Sequence, residues 1–345
     1  MPGLDHLVTL SDDVGVIQHA VEDIPNRSTG YCTDDVARAF IVAVARLRLV
    51  PDDKAAERIA STSLSFLHDA QLEDGRFHNF MSHARNWLDE VGTPDSIGRA
   101  IWALGYGMRY ASKDSWRRQC ARMVERALPA VDDLHYLRSR AYAALGLTHA
   151  LAAVPDFHAA RIALTAIASG LRAAYLATRG ENWDWFEPLM TYDNARLPEA
   201  LIRIGMALHD DESIAVGLRT FAFYSKTTVE NGIYVPIGND GWYVRGGPRA
   251  RYAQQPLEAT ALIDAAHAAF DATGDPAYAA LARVGLEWFY GRNSRTMLLA
   301  RGGGCCDGLD ESGVNLNMGA ESTLAFLAAA YSLAEREPAA LRVAR

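Results

Sequence analysis

Six segments of this chain open on polar residues and run straight into an apolar stretch of helical period. They are Thr33-Asp34-Asp35, Asp95-Ser96, His135-Tyr136 to Arg140, Tyr192-Asp193-Asn194, Gln254-Gln255-Pro256 and Asn317 to Glu321. Each start falls about 40–65 residues after the last, with a second apolar stretch between, as in a repeat of helix pairs. The first series spans residues 34–49, 95–110, 137–152, 194–208, 256–272 and 319–335. The second spans 53–71, 113–130, 156–178, 211–228 and 276–291. Six inner and five outer helices predict an all-α fold, an (α/α)6 toroid in one domain over residues 1–345. The sixth outer helix is either the N-terminal segment or incomplete. A ring whose inner helices start at one mouth would gather the polar openings around one pocket.

Capping residues support several starts. Asp275-Pro276 and Gln255-Pro256 place a proline in the first turn, and Pro198 falls where its missing N–H costs little. Residues 230–250 carry apolar runs around Asn239-Asp240-Gly241, which predicts a small β-hairpin insertion. This loop and the polar stretch 301–318 are long enough to carry function.

Half of the 345 residues are hydrophobic, enough for a large core. A net charge of −8 argues against nucleic-acid binding, which needs a basic face. No run reaches the roughly 18 apolar residues of a membrane helix. The start of the chain lacks the features of a signal peptide, so a cytoplasmic location is expected. Cys32, Cys120, Cys305 and Cys306 fit free thiols in a reducing compartment. Their spacing does not suit zinc, and no metal or cofactor is expected. Neither a phosphate loop nor a Gly-x-Ser-x-Gly elbow is present.

An acid followed three or four residues later by arginine recurs as Asp35…Arg38, Asp95…Arg99 and Asp193…Arg196. These are either ion pairs on helix surfaces or inward acids held rigid by their arginines. Thr33 or Asp34 can cap the first inner helix. The adjacent carboxyls of Asp34 and Asp35 can divide acid and base roles, or serve only as cap and first-turn residues. Trp183, Trp185 and Tyr192 alternate with acids, as sugar recognition requires: rings stack on a pyranose face while carboxylates bind hydroxyls. Glu187, between Phe186 and Pro188, sits partly desolvated and suits a general acid. The alternative is an aromatic cluster closing the core, with Glu187 solvated. Glu258 and Glu321 are either site carboxylates or helix caps. Tyr31, Trp87, Gln255, Asp307 and Asn317 complete the candidate binding residues. The histidines show no metal-ligand spacing.

Several stretches resemble a bacterial family often seen beside, or fused to, glycosyltransferases. They run from Gln18-His19 to Ala39, from Asp95 to Gly105, from Trp183 to Glu187 with Leu189 to Ala200, and from Asp307 to Ser322. The resemblance implies a glycosyltransferase partner encoded nearby. More distantly, Tyr31…Asp34-Asp35 is similar to the paired aspartates of bacterial endo-α-1,6-mannanases. Those are also (α/α)6 toroids, and their aspartates act as nucleophile and acid/base. There bulky aromatics follow the pair, whereas here Val36-Ala37-Arg38 follow. The N-acylglucosamine 2-epimerase superfamily shares the toroid and uses histidines. Here there is no clear pair of helix-start histidines, His19 aside.

The expected function is therefore a glycoside hydrolase, or a related phosphorylase, cleaving a mannose- or glucose-containing oligosaccharide. Glu187 would be the acid and Asp34 or Asp35 the base or nucleophile, with Glu258 and Glu321 in reserve. Arg38, Trp183, Trp185 and Tyr192 would position the sugar. A sugar epimerase using His19 and carboxylates, and a non-catalytic glycan-binding module serving a glycosyltransferase, are the alternatives.

Overall fold

The structure, a computed structural model, describes residues 1–336. Twelve helices are among them: α1 (Asp5–Leu10), α2 (Thr33–Leu49), α3 (Lys54–Ala70), α4 (Pro94–Tyr110), α5 (Asp114–Val131), α6 (Leu137–Ala153), α7 (His158–Thr178), α8 (Arg196–Leu208), α9 (Asp211–Thr228), α10 (Pro256–Thr273), α11 (Pro276–Phe289) and α12 (Ala320–Arg336). The even-numbered helices pack in a closed ring, α2 on α4, then α6, α8, α10, α12 and back to α2, and the others lie outside. This is the expected (α/α)6 toroid. The sixth outer helix, α1, is N-terminal and has only six residues.

Local chemistry sets the boundaries. Thr93 caps α4 by accepting the Ser96 N–H, and Pro94 occupies the first position. Asp53, Asp210 and Asp275 cap α3, α9 and α11. The first inner helix departs from expectation. Its cap is Cys32, whose Sγ accepts the Asp35 N–H at 3.4 Å, while Thr33 donates to the His78 carbonyl. That leaves Asp34 and Asp35 free to face other partners.

Inner helices α6 and α10 bury residues on nearly every face, because each is enclosed by neighbours. Close approach of α4 and α6 depends on glycine. A Cβ on Gly105 would fall on the Gly146 carbonyl, and one on Gly146 would fall on the Ile101 carbonyl.

The two ends of the ring differ. At the inner-helix C-termini the connections are short, at 50–53, 111–113, 154–157, 209–210 and 274–275. At their N-termini lie 11–32, 71–93, 179–195, 229–255 and 290–319, with only 132–136 brief. The long segments therefore build walls around one mouth. They contain two-residue antiparallel ladders, and the expected hairpin is differently made. Val229-Glu230 pairs with Ile233-Tyr234 around Asn231-Gly232, while Tyr243-Val244 pairs with Leu189-Met190. Asn239-Asp240-Gly241 does not join paired strands. Both asparagine-containing turns read alike locally, and the Leu189 strand, distant in sequence, takes the partner.

Candidate functional site at the helix-start mouth

The acid–arginine repeats point inward. From α2, Arg38 Nη1 holds Asp35 at 2.8 Å. Its Nη2 holds Glu321 of α12 at 2.8 Å and lies 3.9 Å from Asp34. From α4, Arg99 Nε reaches Asp34 at 2.7 Å, and Nη2 reaches Asp193 at 2.9 Å and the Tyr142 hydroxyl at 2.8 Å. Tyr142 donates to Asp193 at 2.7 Å. Arg196 lies 3.4 Å from Asp193. Thus Asp34, Asp35, Arg38, Arg99, Asp193, Arg196 and Glu321 form one network across four inner helices. Asp95 takes no part in a local pair with Arg99. It accepts from Ser139 and from the Tyr192 hydroxyl.

Arg138 of α6 organises the adjoining wall. It bonds Glu187 at 2.7 Å, Asn194 Oδ1 at 3.2 Å and the Tyr192 carbonyl. Asn194 in turn faces Glu258 at 3.4 Å, and Tyr224 donates to Glu258 at 3.0 Å. Glu258 makes no cap bond and belongs to this buried network. Arg138, Tyr142 and Tyr224 were not visible as site residues in the sequence. Arg138 opens a helix without an acid three or four residues before it, so the acid–arginine repeat passes over it. The two tyrosines read as core aromatics.

Exposure sorts these carboxyls. Asp34, Glu187 and Glu321 keep 28%, 27% and 40% of their side chains accessible. Asp35 and Glu258 are buried. Burial, helped by the charges of Glu321 and Asp34 against the opposing Arg38, pushes the Asp35 carboxyl up to about 6. Burial and the charge of Asp193 push Glu258 up to about 7. Asp193 is equally buried, but Arg196 and Arg99 overcome that penalty and hold it below the usual range. Asp34 Oδ1 and Arg99 Nε touch in a direction unsuited to a hydrogen bond, so both retain unused hydrogen-bonding capacity at the floor of the mouth.

The loop 11–32 folds over the start of α12. The Gln18 carbonyl accepts the Ala320 N–H at 2.9 Å, and Asn317 Oδ1 accepts the Glu22 N–H at 3.0 Å. This sets the exposed His19 near Asp307, whose carboxyl is raised by burial and feels the charges of both His19 and Glu321. Asp307 also accepts the Gly319 N–H at 2.8 Å.

Other candidates lie apart or covered. Trp183 and Trp185 are buried, with their rings against Phe223 and Tyr243 and against Phe186 and Tyr224. Tyr31 is buried and bonds Asp12, and half-buried Trp87 stacks on His78. Gln255 begins α10 without a side-chain cap bond. All four cysteines are buried and free. Among the described residues no three His, Cys, Asp or Glu side chains cluster as metal ligands would, and no helix is long and apolar enough to cross a membrane.

No family model and no curated protein matches the chain. Solved structures do. A sugar epimerase from a ruminal bacterium superposes with a TM-score of 0.73 at 11% identity, covering 95% of each chain. Cellobiose 2-epimerase from Bacillus thermoamylovorans gives 0.72 at 13% identity, covering 96% of this chain and 95% of the other. An inactive α-1,6-mannanase variant from a Salegentibacter species, in complex with α-1,6-mannotetrose, gives 0.67 at 9% identity, covering 96% and 97%. The chain therefore has the toroid fold found in carbohydrate-active epimerases and hydrolases alike.

Proposed function

We propose that the chain is a sugar epimerase or isomerase that works at the helix-start mouth on the reducing end of a mannose- or glucose-containing saccharide. The observation that carries this reading is the Arg38 Nη2 contact with both Asp34 and Glu321. Two partly open carboxylates flank one guanidinium, with Arg99 beside them. Such a site can remove a proton from the carbon next to a carbonyl and hold the resulting enediolate oxygen against a cation. Glu321 takes the C2 proton, Arg38 and Arg99 balance the oxygen's charge, and His19, tethered beside α12, returns a proton. Return to the other face of C2 gives the epimer, and return to C1, with the proton of the C2 hydroxyl passing to O1, gives the ketose. Atoms balance without an outside reductant. The somewhat higher TM-scores of the epimerase structures agree with this reading.

A second reading, glycosidic cleavage or phosphorolysis, is favoured by the same two carboxylates. Sharing one nitrogen, their oxygens lie no more than about 7 Å apart, close enough to act on one bond. Cleavage also needs a protonated carboxyl facing the leaving oxygen. Asp35 and Glu258, raised toward neutrality, are buried beneath the mouth, and Asp307, also raised, is held by the Gly319 N–H. Glu187 would have to leave Arg138 to serve. A glycosyltransferase partner, implied by the family resemblance, would make or use the same saccharide.

The test is incubation in D2O with mannose, glucose, fructose, cellobiose and manno-oligosaccharides, with products read by NMR and mass. Deuterium at C2 with no shortening is the expected result. Shorter sugars or sugar phosphates would replace this reading with the second.

A further inference from the structure

Below the Arg38–Arg99–Asp193 layer, the barrel axis holds another space, lined at its far end by the exposed Arg48 and Arg336. A cavity of about 190 Å³ extends from that layer to Arg48, His149 and Arg336 near the far ends of α2, α6 and α12. It has room for on the order of ten waters, or for one small polar ligand.

The charges around it satisfy one another. Arg196 bonds Glu199 at 2.6 Å and Asp264 at 2.8 Å, and Arg203 bonds Glu199 at 2.7 Å. Arg48 holds Glu335 at 2.6 Å, and Arg336 holds Asp271 at 2.6 Å. An ionic ligand would have to displace one of these pairs.

Two imidazoles supply neutral groups instead. Ser332 donates to Asp264 at 2.9 Å, so His267 Nδ1, 3.0 Å from Ser332 Oγ, donates in turn and leaves Nε2 as an acceptor. Arg109 can only donate, so His149 Nδ1, 3.4 Å away, accepts and Nε2 carries the hydrogen. Burial, reinforced by nearby arginines, lowers both, His267 to about 4, so both are uncharged at neutral pH. Tyr106 and Tyr110 meet the His149 ring edge-on, and Trp102 also lines the cavity.

We propose that this axial cavity is a second sugar-binding site, taking one neutral polyol of monosaccharide size with His149 as donor and His267 as acceptor. One neutral donor and one neutral acceptor among ring edges match a hydroxylated ligand, and the closed ion pairs select against a charged one; the Trp102 ring itself is taken up by Tyr142 and Arg196. The mouth and the cavity share the Arg38–Arg99–Asp193 layer, so a ligand in one chamber lies directly behind the other.

Calorimetric titration of Glu321→Gln with glucose, mannose and fructose, and with mannose 6-phosphate as the charged control, tests the cavity apart from the mouth. The variant keeps Arg38 and Arg99 at the mouth, so the expected result is a neutral sugar bound at two sites, one of which weakens at least tenfold when His267→Gln or the cavity-filling Ala328→Leu is added, each checked for a cooperative melt. Three results would overturn the proposal: no neutral sugar bound, tighter binding of the phosphate, or binding indifferent to both additions. Retained sugar binding alongside wild-type protein that exchanges no deuterium would keep the cavity and reject the epimerase reading.

Discussion

Asp34 and Glu321 stand near opposite ends of the chain, yet both contact Nη2 of Arg38, at 3.9 and 2.8 Å. The contact exists because α12 packs back onto α2 and closes the ring. Replacing Glu321 with Gln should therefore reduce turnover at least about 100-fold, the usual scale for a positioned acid or base, with little change in melting temperature. Asp34→Asn should behave similarly. Wild-type rates in both would remove the pair from the mechanism.

Protonation of the buried carboxyls predicts the pH dependence of stability. Glu258 is raised to about 7 in the folded chain against an ordinary 4.5, and Asp35 to about 6 against 3.8. A raised carboxyl binds its proton more tightly when folded, so its penalty is absent at low pH. The penalty grows as pH rises through the unfolded value and is complete above the folded one. Between about pH 4.5 and 7, wild type should lose up to about 3 kcal/mol through Glu258, and Glu258→Gln should flatten that slope. Denaturant melts at several pH values measure it, and parallel wild-type and variant curves would reject the assignment.

Arg138 binds Glu187, Asn194 and the Tyr192 carbonyl from a buried position. Arg138→Met leaves Glu187 and the wall loop without their cation. A loss of about 1–3 kcal/mol is expected, because Glu187 is partly solvated and the main cost is the buried acceptors left unsatisfied. An unchanged melting midpoint would show that water replaces the guanidinium.

His19 faces solvent and contributes little to packing. His19→Asn should preserve stability while slowing C2 exchange in D2O. Exchange at the wild-type rate would assign proton return to another group.

Gly146 meets the Ile101 carbonyl where α4 and α6 touch. Gly146→Ala should destabilise by about 1–3 kcal/mol despite alanine's better helix propensity, because backbone stands in the way. A stabilised variant would mean that the helices can separate at no cost.

Helix period, capping residues and the spacing of the openings were enough to predict six inner and five outer helices; the short sixth outer helix, α1, came only with the structure. Most boundaries fall within two residues of those read from pattern alone, because burial face and cap chemistry act locally. The repeated acid and arginine also marked Arg38, Arg99 and Asp193 before any fold was known. The cross-ring partners were not legible. Arg99 skips Asp95 for Asp34 and Asp193, Arg138 reaches Glu187, and Tyr243 pairs with Met190 because ring closure brings distant segments within bonding range. Exposure was not legible either: Trp183 and Trp185 look like sugar platforms in a string of acids, but neighbouring rings cover them. The sequence determined which residues sit at helix starts. The tertiary structure decided which face each other, which keep access to solvent and which share a charge, since those depend on packing between elements far apart in the chain.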